Sequence, residues 1–204
     1  NELIHYSLVN EKTFIKNEIQ LINPLGSEYS SLRSSLLPNL IKTVQENLKQ
    51  KNVYMEGFEY GHVFFKDKLT NFGERENVAG IFGGTKTKSS WSAVATELNW
   101  FEAKGKIEQF FTQLNILVDW RSLTMDATNN FLHPYRSAEL FVYEKISLGI
   151  FGQISPILSN KLNISTEIYL FELNLEVLKN SLQENKITLY KDYSVYPKII
   201  KDLS

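Results

Sequence analysis

The sequence predicts an α+β fold in which an antiparallel sheet is flanked by helices. Apolar and β-branched runs of strand length recur along the chain, and amphipathic helical patterns separate several of them. Two such runs, over residues 139–143 and 146–151, are separated by Glu144 and Lys145 alone. So short a connection predicts a hairpin, because parallel neighbours need a crossover of about a dozen residues or more.

Composition is that of an ordinary folded domain. The 204 residues are 43% hydrophobic and 22% charged with a net charge of -1, which disfavours disordered, collagen-like and coiled-coil proteins. The absence of cysteine excludes disulfide scaffolds, thiolate metal sites and cysteine nucleophiles. Apolar stretches such as residues 146–150 are far shorter than the roughly 20 residues of a membrane span. We therefore expect a soluble protein with no membrane partner.

The first part of the chain predicts two strands and a helix. Residues 2–9 have strand character, and since no methionine precedes them we expect a piece of a longer chain. A proline stands just ahead of apolar residues at helical spacing, which predicts a helix over 38–51. Residues 53–65 predict a long strand, in which Gly57 and Gly61 indicate a bulge or bend.

Further elements follow along the rest of the chain. An amphipathic pattern predicts a helix from Glu102, with one apolar face made of Ala103, Ile107, Phe110, Phe111 and Leu114. The other expected elements are a polar, turn-rich segment over 66–77, a strand over 78–82, a loop over 86–92, a short helix from Pro156, a strand over 168–173 and a helix over 175–182.

The common catalytic motifs are missing. The glycines near residues 80–86 lack the spacing of a phosphate-binding loop, and those at 149–152 fall short of a dinucleotide-binding motif and favour close backbone packing. The three histidines lack zinc-site spacing, so we expect structural or exposed roles for His5, His62 and His133.

Two carboxylates and four lysines remain as candidates. Glu56 and Glu59 are three residues apart in a predicted strand, which places them on opposite faces and argues against an acid–base pair. The lysines form two clusters, the second of which lies near Trp91 and Trp100 in sequence, and interleaved cations and aromatics can bind nucleic acid. They are Lys49, Lys51, Lys86 and Lys88. The alternatives are a solvated helix end for the first two and a mobile loop for the others.

Several segments occur in the order of one known family and cover nearly the whole chain. They are residues 23–25, 32–38, 57–64, 100–108, 132–138, 148–156 and 171–173. Together they resemble the β subunit of phenylalanyl-tRNA synthetase, particularly its plastid and cyanobacterial forms. An A/T-rich genome agrees with this resemblance, since 18 lysines, 18 asparagines and 17 isoleucines accompany four arginines.

The resemblance implies a class II aminoacyl-tRNA synthetase-like core without catalytic motifs. This core would occupy residues 1–190, truncated at its N-terminus, and residues 191–204 would begin a truncated, ferredoxin-like anticodon-binding domain. Class II enzymes hold the ATP α-phosphate with an arginine at the position that corresponds to Glu59, and a carboxylate cannot replace a guanidinium there. The arginine of the third class II motif is also missing from residues 171–176. We therefore expect no catalytic residue and no activity from this chain alone.

The implied function is to support a catalytic α subunit in an α2β2 enzyme that attaches phenylalanine to tRNA(Phe). ATP and Mg²⁺ would belong to the whole enzyme, with no cofactor or metal in this fragment. Pro24, Leu25 and Arg33 are the expected interface residues, with an intrachain salt bridge or a helix-cap contact as the alternative for Arg33. The expected location is the plastid stroma or the bacterial cytoplasm.

Two other functions stay open from the residues. The first is a free-standing class II-like ligase in which Lys104 or Lys106 holds the phosphate. The second is a tRNA-binding module that uses the four lysines named above.

Overall fold

A computed structural model describes residues 1–10, 19–52, 54–67, 72–84, 91, 96–123, 131–184, 192 and 196. The strands are β1 (Leu8–Val9), β2 (Ile19–Gln20), β3 (Ser31–Leu32), β4 (Tyr54–Phe65), β5 (Gly73–Gly84), β6 (Asp119–Ser122), β7 (Leu132–Val142), β8 (Ile146–Ile154) and β9 (Ile168–Asn174). The helices are α1 (Leu37–Lys49), α2 (Trp100–Gln113), α3 (Pro156–Leu162) and α4 (Leu175–Glu184), and a 3-10 turn spans Ser27–Tyr29. The predicted α+β class is confirmed.

The main sheet has six strands in the order β4-β5-β9-β8-β7-β6, and every neighbouring pair is antiparallel. A small sheet of order β1-β3-β2 accompanies it. One apolar core packs α1 and α3 against one face of the main sheet, and a second core packs α2 and α4 against the other. Helices therefore cover both faces of the central strands, whereas the edge strands β4 and β6 keep exposed side chains.

The helices lie close to where their patterns predict them. The proline at the start of α1 occupies the first turn, where its missing amide hydrogen costs no hydrogen bond. Helix α2 begins two residues before Glu102, because Asn99 and Glu102 form a capping box. The Asn99 side chain accepts from the Glu102 backbone N–H at 3.0 Å, and Glu102 accepts from the Asn99 N–H at 3.2 Å.

The predicted bulge in β4 is wrong. The register between β4 and β5 is unbroken from Tyr54 to Phe65. The two glycines instead make room for other residues, since a Cβ at Gly57 would collide with Leu3 and one at Gly61 with Arg33.

Other boundaries also differ from the predictions. Strand β5 begins at Gly73, inside the segment predicted as polar turns. Of the N-terminal strand predicted over 2–9, Leu8–Val9 forms β1, and Glu2 makes an isolated bridge to Phe58. The predicted loop over 86–92 lies outside the described residues except for Trp91, and residues 191–204 do so except for 192 and 196.

Candidate functional site

A buried ionic cluster lies in the centre of β4. Glu59 is 1% exposed and points to the face that α1 covers, whereas Glu56 is exposed on the opposite face. The predicted separation of these two carboxylates is confirmed. Arg33 follows β3 and is 4% exposed, and His5 belongs to the N-terminal segment. Three distant parts of the chain therefore meet at one carboxylate.

The Glu59 carboxylate is bound on both oxygens. Arg33 Nη1 donates to Oε1 at 2.5 Å, and the His5 backbone N–H donates to the same oxygen at 3.3 Å. His5 Nδ1 lies 2.6 Å from Oε2, and its Nε2 lies 2.8 Å from Thr43 Oγ1 on α1. Arg33 Nε also donates to the His62 carbonyl oxygen at 3.0 Å. The cluster thus ties the N-terminal segment, α1 and β4 together.

The electrostatics of this cluster favour an ionised carboxylate. Burial alone raises the pKa of Glu59, but hydrogen bonds from His5 and Arg33 outweigh it and hold the pKa below its ordinary value of 4.5. A nucleotide phosphate does not fit this position. The site presents a buried anion, and the Arg33 guanidinium that faces it is already engaged with Glu59.

A second buried carboxylate lies on the same face of the sheet. Glu172 on β9 accepts from Ser35 Oγ at 2.5 Å, from the Leu36 backbone N–H at 3.1 Å and from Asn77 Nδ2 at 2.7 Å. Since Leu36 is the N-cap of α1, the carboxylate stabilises the start of that helix. This role of Glu172 was not predicted. The signal that could have indicated it is a charged residue inside the apolar run of β9.

The three predicted interface residues do not lie in one surface. Pro24 and Leu25 are exposed in the segment between β2 and β3, and Leu25 is 101% exposed. Ile22 in the same segment is 96% exposed. Arg33 is buried in the intrachain ion pair that was one alternative expectation for it.

The predicted lysines occupy different settings. Lys49 and Lys51 are exposed at the C-terminal end of α1, whereas Lys86 and Lys88 lie outside the described residues. Lys104 pairs with Glu108 at 3.3 Å, and Lys106 Nζ lies 3.9 Å from Glu56 Oε1. A phosphate at either Lys104 or Lys106 would compete with a neighbouring carboxylate.

His133 stabilises a local bend. Its Nδ1 accepts from the backbone N–H groups of Tyr135 and Arg136, each at 3.1 Å. Burial and the Arg136 charge lower the pKa of His133, which favours this neutral, accepting ring. The bend lies inside β7, where the pairing with β8 shifts between Leu132 and Ser137.

The part of the chain that the structure describes contains neither a metal-ligand cluster nor a membrane-spanning helix. Within it, no three His, Asp or Glu side chains are grouped so that they could bind a metal ion. None of its helices combines the length and apolarity required to span a bilayer.

Comparison with known proteins identifies the family. A family model for the phenylalanyl tRNA synthetase β chain CLM domain matches residues 1–175. The chain is 61% identical over 203 residues to the chloroplastic phenylalanine–tRNA ligase β subunit of Phaeodactylum tricornutum, covering 100% of this chain and 29% of that relative. It is 41% identical over 207 residues to the β subunit of Trichormus variabilis, covering 100% of this chain and 25% of the relative.

A third relative gives the same result. The chloroplastic β subunit of Porphyra purpurea is 40% identical over 208 residues, covering 99% of this chain and 28% of the relative. The chain thus spans between 25% and 29% of the length of these three relatives. Because the family match covers most of the chain, the protein belongs to the phenylalanyl-tRNA synthetase β-chain CLM domain family.

Proposed function

We propose that this chain is a non-catalytic core module of a phenylalanine–tRNA ligase β subunit. It would have a class II synthetase-like fold and would support an α subunit, within an α2β2 enzyme, in attaching phenylalanine to tRNA(Phe). ATP and Mg²⁺ would act on the α subunit. The chloroplastic and cyanobacterial names of the relatives support a plastid or bacterial source.

One observation carries the non-catalytic assignment. Where the family resemblance implies that an active class II enzyme has a phosphate-binding arginine, this chain has Glu59, buried and bound to Arg33 and His5. A buried carboxylate repels a nucleotide phosphate, and moving the bound Arg33 away would leave that charge unpaired. The position therefore supports folding and opposes ATP binding.

ATP–pyrophosphate exchange tests this assignment. The purified chain is expected to give no phenylalanine-dependent exchange, whether or not Mg²⁺ is present. Exchange that depends on phenylalanine and is lost in Lys106→Gln would instead support the free-standing ligase.

The exposed segment around Pro24 and Leu25 is the proposed contact with the α subunit. Ile22 and Leu25 expose nearly their whole apolar side chains, and side chains of this kind gain free energy when a partner removes them from water. Arg33 would contribute indirectly, because its backbone N–H donates to the Ser7 carbonyl oxygen at 2.9 Å and its side chain anchors the strand region beside this segment.

Co-migration with the α subunit of the same genome tests this contact. Size-exclusion chromatography with light scattering is expected to give a joint peak for the unaltered chain and separate peaks for Leu25→Asp. Ile157→Asp is the matched control, because Ile157 is 83% exposed on α3, outside the proposed contact. Equal loss of the joint peak in Leu25→Asp and Ile157→Asp would contradict the proposed contact.

A tRNA contact by Lys49 and Lys51 is the second candidate. Both ammonium groups are exposed at the same helix end, where they can approach a phosphate backbone. Together with Lys86 and Lys88 they would make affinity fall with rising salt, and Lys49→Gln with Lys51→Gln should reduce the slope of that dependence by about two. Filter binding of tRNA(Phe) over a salt series measures the affinity and the slope of its salt dependence. An unchanged slope in the double variant would count against this contact.

A further inference from the structure

A polar pocket lies at the end of the sheet where β8 leads into α3 and the chain returns to β9. Its volume of about 200 Å³ is more than six times the roughly 30 Å³ that one water molecule occupies in the liquid. The polar part of its wall consists of two side-chain amides, three hydroxyls and one carboxylate. These belong to Gln153, Asn160, Ser159, Ser165, Thr166 and Glu167.

Arg136 of β7 holds two of these polar groups in place. Its Nη1 donates to Gln153 Oε1 at 3.0 Å and to Glu167 Oε1 at 3.2 Å. The Tyr169 hydroxyl donates to the other oxygen of Glu167. The Glu167 carboxylate is therefore fixed from two sides, and the Gln153 amide, whose oxygen faces Arg136, keeps its NH₂ group for another acceptor.

The charges at this pocket are balanced. Among the described residues of the lining, Glu167 alone is ionised near neutral pH, and the Arg136 guanidinium lies 3.2 Å from it. Burial and the Arg136 charge lower the pKa of the nearby His133, which keeps that ring neutral. Burial and the bond to Glu167 raise the pKa of Tyr169, so its hydroxyl stays a donor. The pocket therefore favours an uncharged ligand over an anion or a cation.

One hydroxyl of the wall lacks a partner. Within the described part of the chain, Thr166 Oγ1 is shielded from solvent and makes no hydrogen bond. A shielded polar atom of this kind costs free energy until a donor or an acceptor reaches it. Because no hydrogen bond holds the hydroxyl, rotation about χ1 turns it towards the pocket without breaking one. The Ser159 hydroxyl, by contrast, already donates to the Ile164 carbonyl oxygen at 2.7 Å.

We propose that this pocket binds a neutral polyhydroxy compound of monosaccharide size. Each hydroxyl of such a compound both donates and accepts, which matches a wall of amides, hydroxyls and one carboxylate. The C–H face of the ligand would lie against Ile154, Pro156 and Ile164, which supply the apolar part of the lining. The inference does not depend on the synthetase function proposed above.

Amide chemical-shift titrations of the 204-residue protein test the proposal, with D-glucose and myo-inositol as probes. Saturable shifts at the lining residues are expected for at least one of them, with a Kd of about 1–10 mM for a neutral ligand of this size. Cyclohexanol has a ring of the same size with one hydroxyl and should bind at least about tenfold more weakly. D-Glucuronate adds a carboxylate and should also bind more weakly than D-glucose, because Glu167 repels it.

Variants of the wall assign the site. Thr166→Val and Asn160→Ala should each weaken binding about three- to tenfold, the loss expected for one neutral hydrogen bond. Both should fold, because Thr166→Val removes an unpaired hydroxyl and Asn160 is exposed on α3. Thr112→Val is the matched control and should leave binding unchanged, since the Thr112 hydroxyl donates to the Glu108 carbonyl oxygen at 2.8 Å on α2.

Three results would overturn the proposal. The first is the absence of saturable shifts with both polyols. The second is binding of cyclohexanol or D-glucuronate as tight as that of the polyols. The third is an affinity that neither Thr166→Val nor Asn160→Ala changes.

Discussion

At the residue scale, the protein is organised by buried carboxylates more than by exposed ones. Glu59 and Glu172 each collect donors from separate segments, and both face the helix layer that contains α1. Burying a charge is tolerated where partners satisfy it, and breaking such a pair leaves the partner uncompensated. The stability of the chain should therefore depend strongly on these two residues.

Glu59→Gln should destabilise the fold by about 3–5 kcal/mol, because it leaves the Arg33 guanidinium buried without its counter-ion. Urea denaturation followed by circular dichroism measures the change. Glu108→Gln removes an exposed pair with Lys104 and should cost about 0.5 kcal/mol or less. A similar decrease in the free energy of unfolding for the two variants would show that the buried ion pair stabilises the fold no more than the exposed pair does.

The same carboxylate predicts a dependence on pH. Its pKa is lower in the folded chain than the ordinary value of 4.5, so Glu59 contributes stability above that value. This contribution is lost as the pH falls through the folded pKa. The difference in unfolding free energy between the unaltered chain and Glu59→Gln should therefore shrink below pH 4.5. If this difference in unfolding free energy grew with acidification, the folded pKa of Glu59 would lie above 4.5 rather than below it.

Part of the Glu59 site was predictable from the sequence. The opposite faces of Glu56 and Glu59 followed from the two-residue period of a strand, which is a local property. The contact of His5 and Arg33 with Glu59 could not be predicted from the sequence. His5 and Glu59 are 54 positions apart, and only tertiary packing brings them together. The alternative of an intrachain salt bridge for Arg33 named the correct type of contact without its partner.

At the element scale, the two glycines Gly61 and Gly105 have opposite consequences. Gly61 lies in β4 against the Arg33 guanidinium, whereas Gly105 lies inside α2 with open space where a Cβ would stand. Glycine in a helix interior is less favourable than alanine. One substitution should therefore damage the fold and the other should improve it.

Gly105→Ala should stabilise the chain by about 0.5–1 kcal/mol, because alanine loses less backbone entropy in a helix. Thermal unfolding compares it with the unaltered chain. Gly61→Ala should destabilise, since its Cβ would displace Arg33 from Glu59. A destabilised Gly105→Ala would mean that another surface covers this side of α2.

Two of the strand segments that sequence patterns missed share one physical property. The first residues of β5, Gly73–Glu76, pair with β4 alone, because the pairing with β9 begins at Asn77. Such a two-stranded ribbon is solvated and lacks the alternation that marks a half-buried strand. β6 is a four-residue strand at the sheet edge. Its side chains are mostly exposed, so it also lacks the alternation of buried and exposed residues. Helices α1, α2 and α4 and strands β4, β8 and β9 were predicted within a few residues, whereas β7 begins seven residues before the strand predicted over 139–143.

At the scale of the whole molecule, one sheet connects two apolar cores. The first core contains α1 and α3, the second α2 and α4, and residues of β5, β8 and β9 contribute to both. Unfolding either core removes the support of shared strands. We therefore expect one cooperative transition for the described domain.

Leu40→Ala tests this coupling. Leu40 is fully buried in the first core, and its truncation should cost about 2–5 kcal/mol. Trp100 and Trp120 pack against the second core, so tryptophan fluorescence reports mainly on the other side of the sheet. Fluorescence and circular dichroism should shift to the same lower urea midpoint, whereas two separate midpoints would mean that the cores unfold independently.

The buried Glu59 also has an evolutionary consequence. A single Glu59→Arg change would place two guanidinium groups and an imidazole together in the interior, with no anion left to neutralise them. An arginine can therefore occupy this position only together with compensating changes at Arg33 or His5. A lineage that exchanges glutamate and arginine here in single steps must pass through variants that fold poorly.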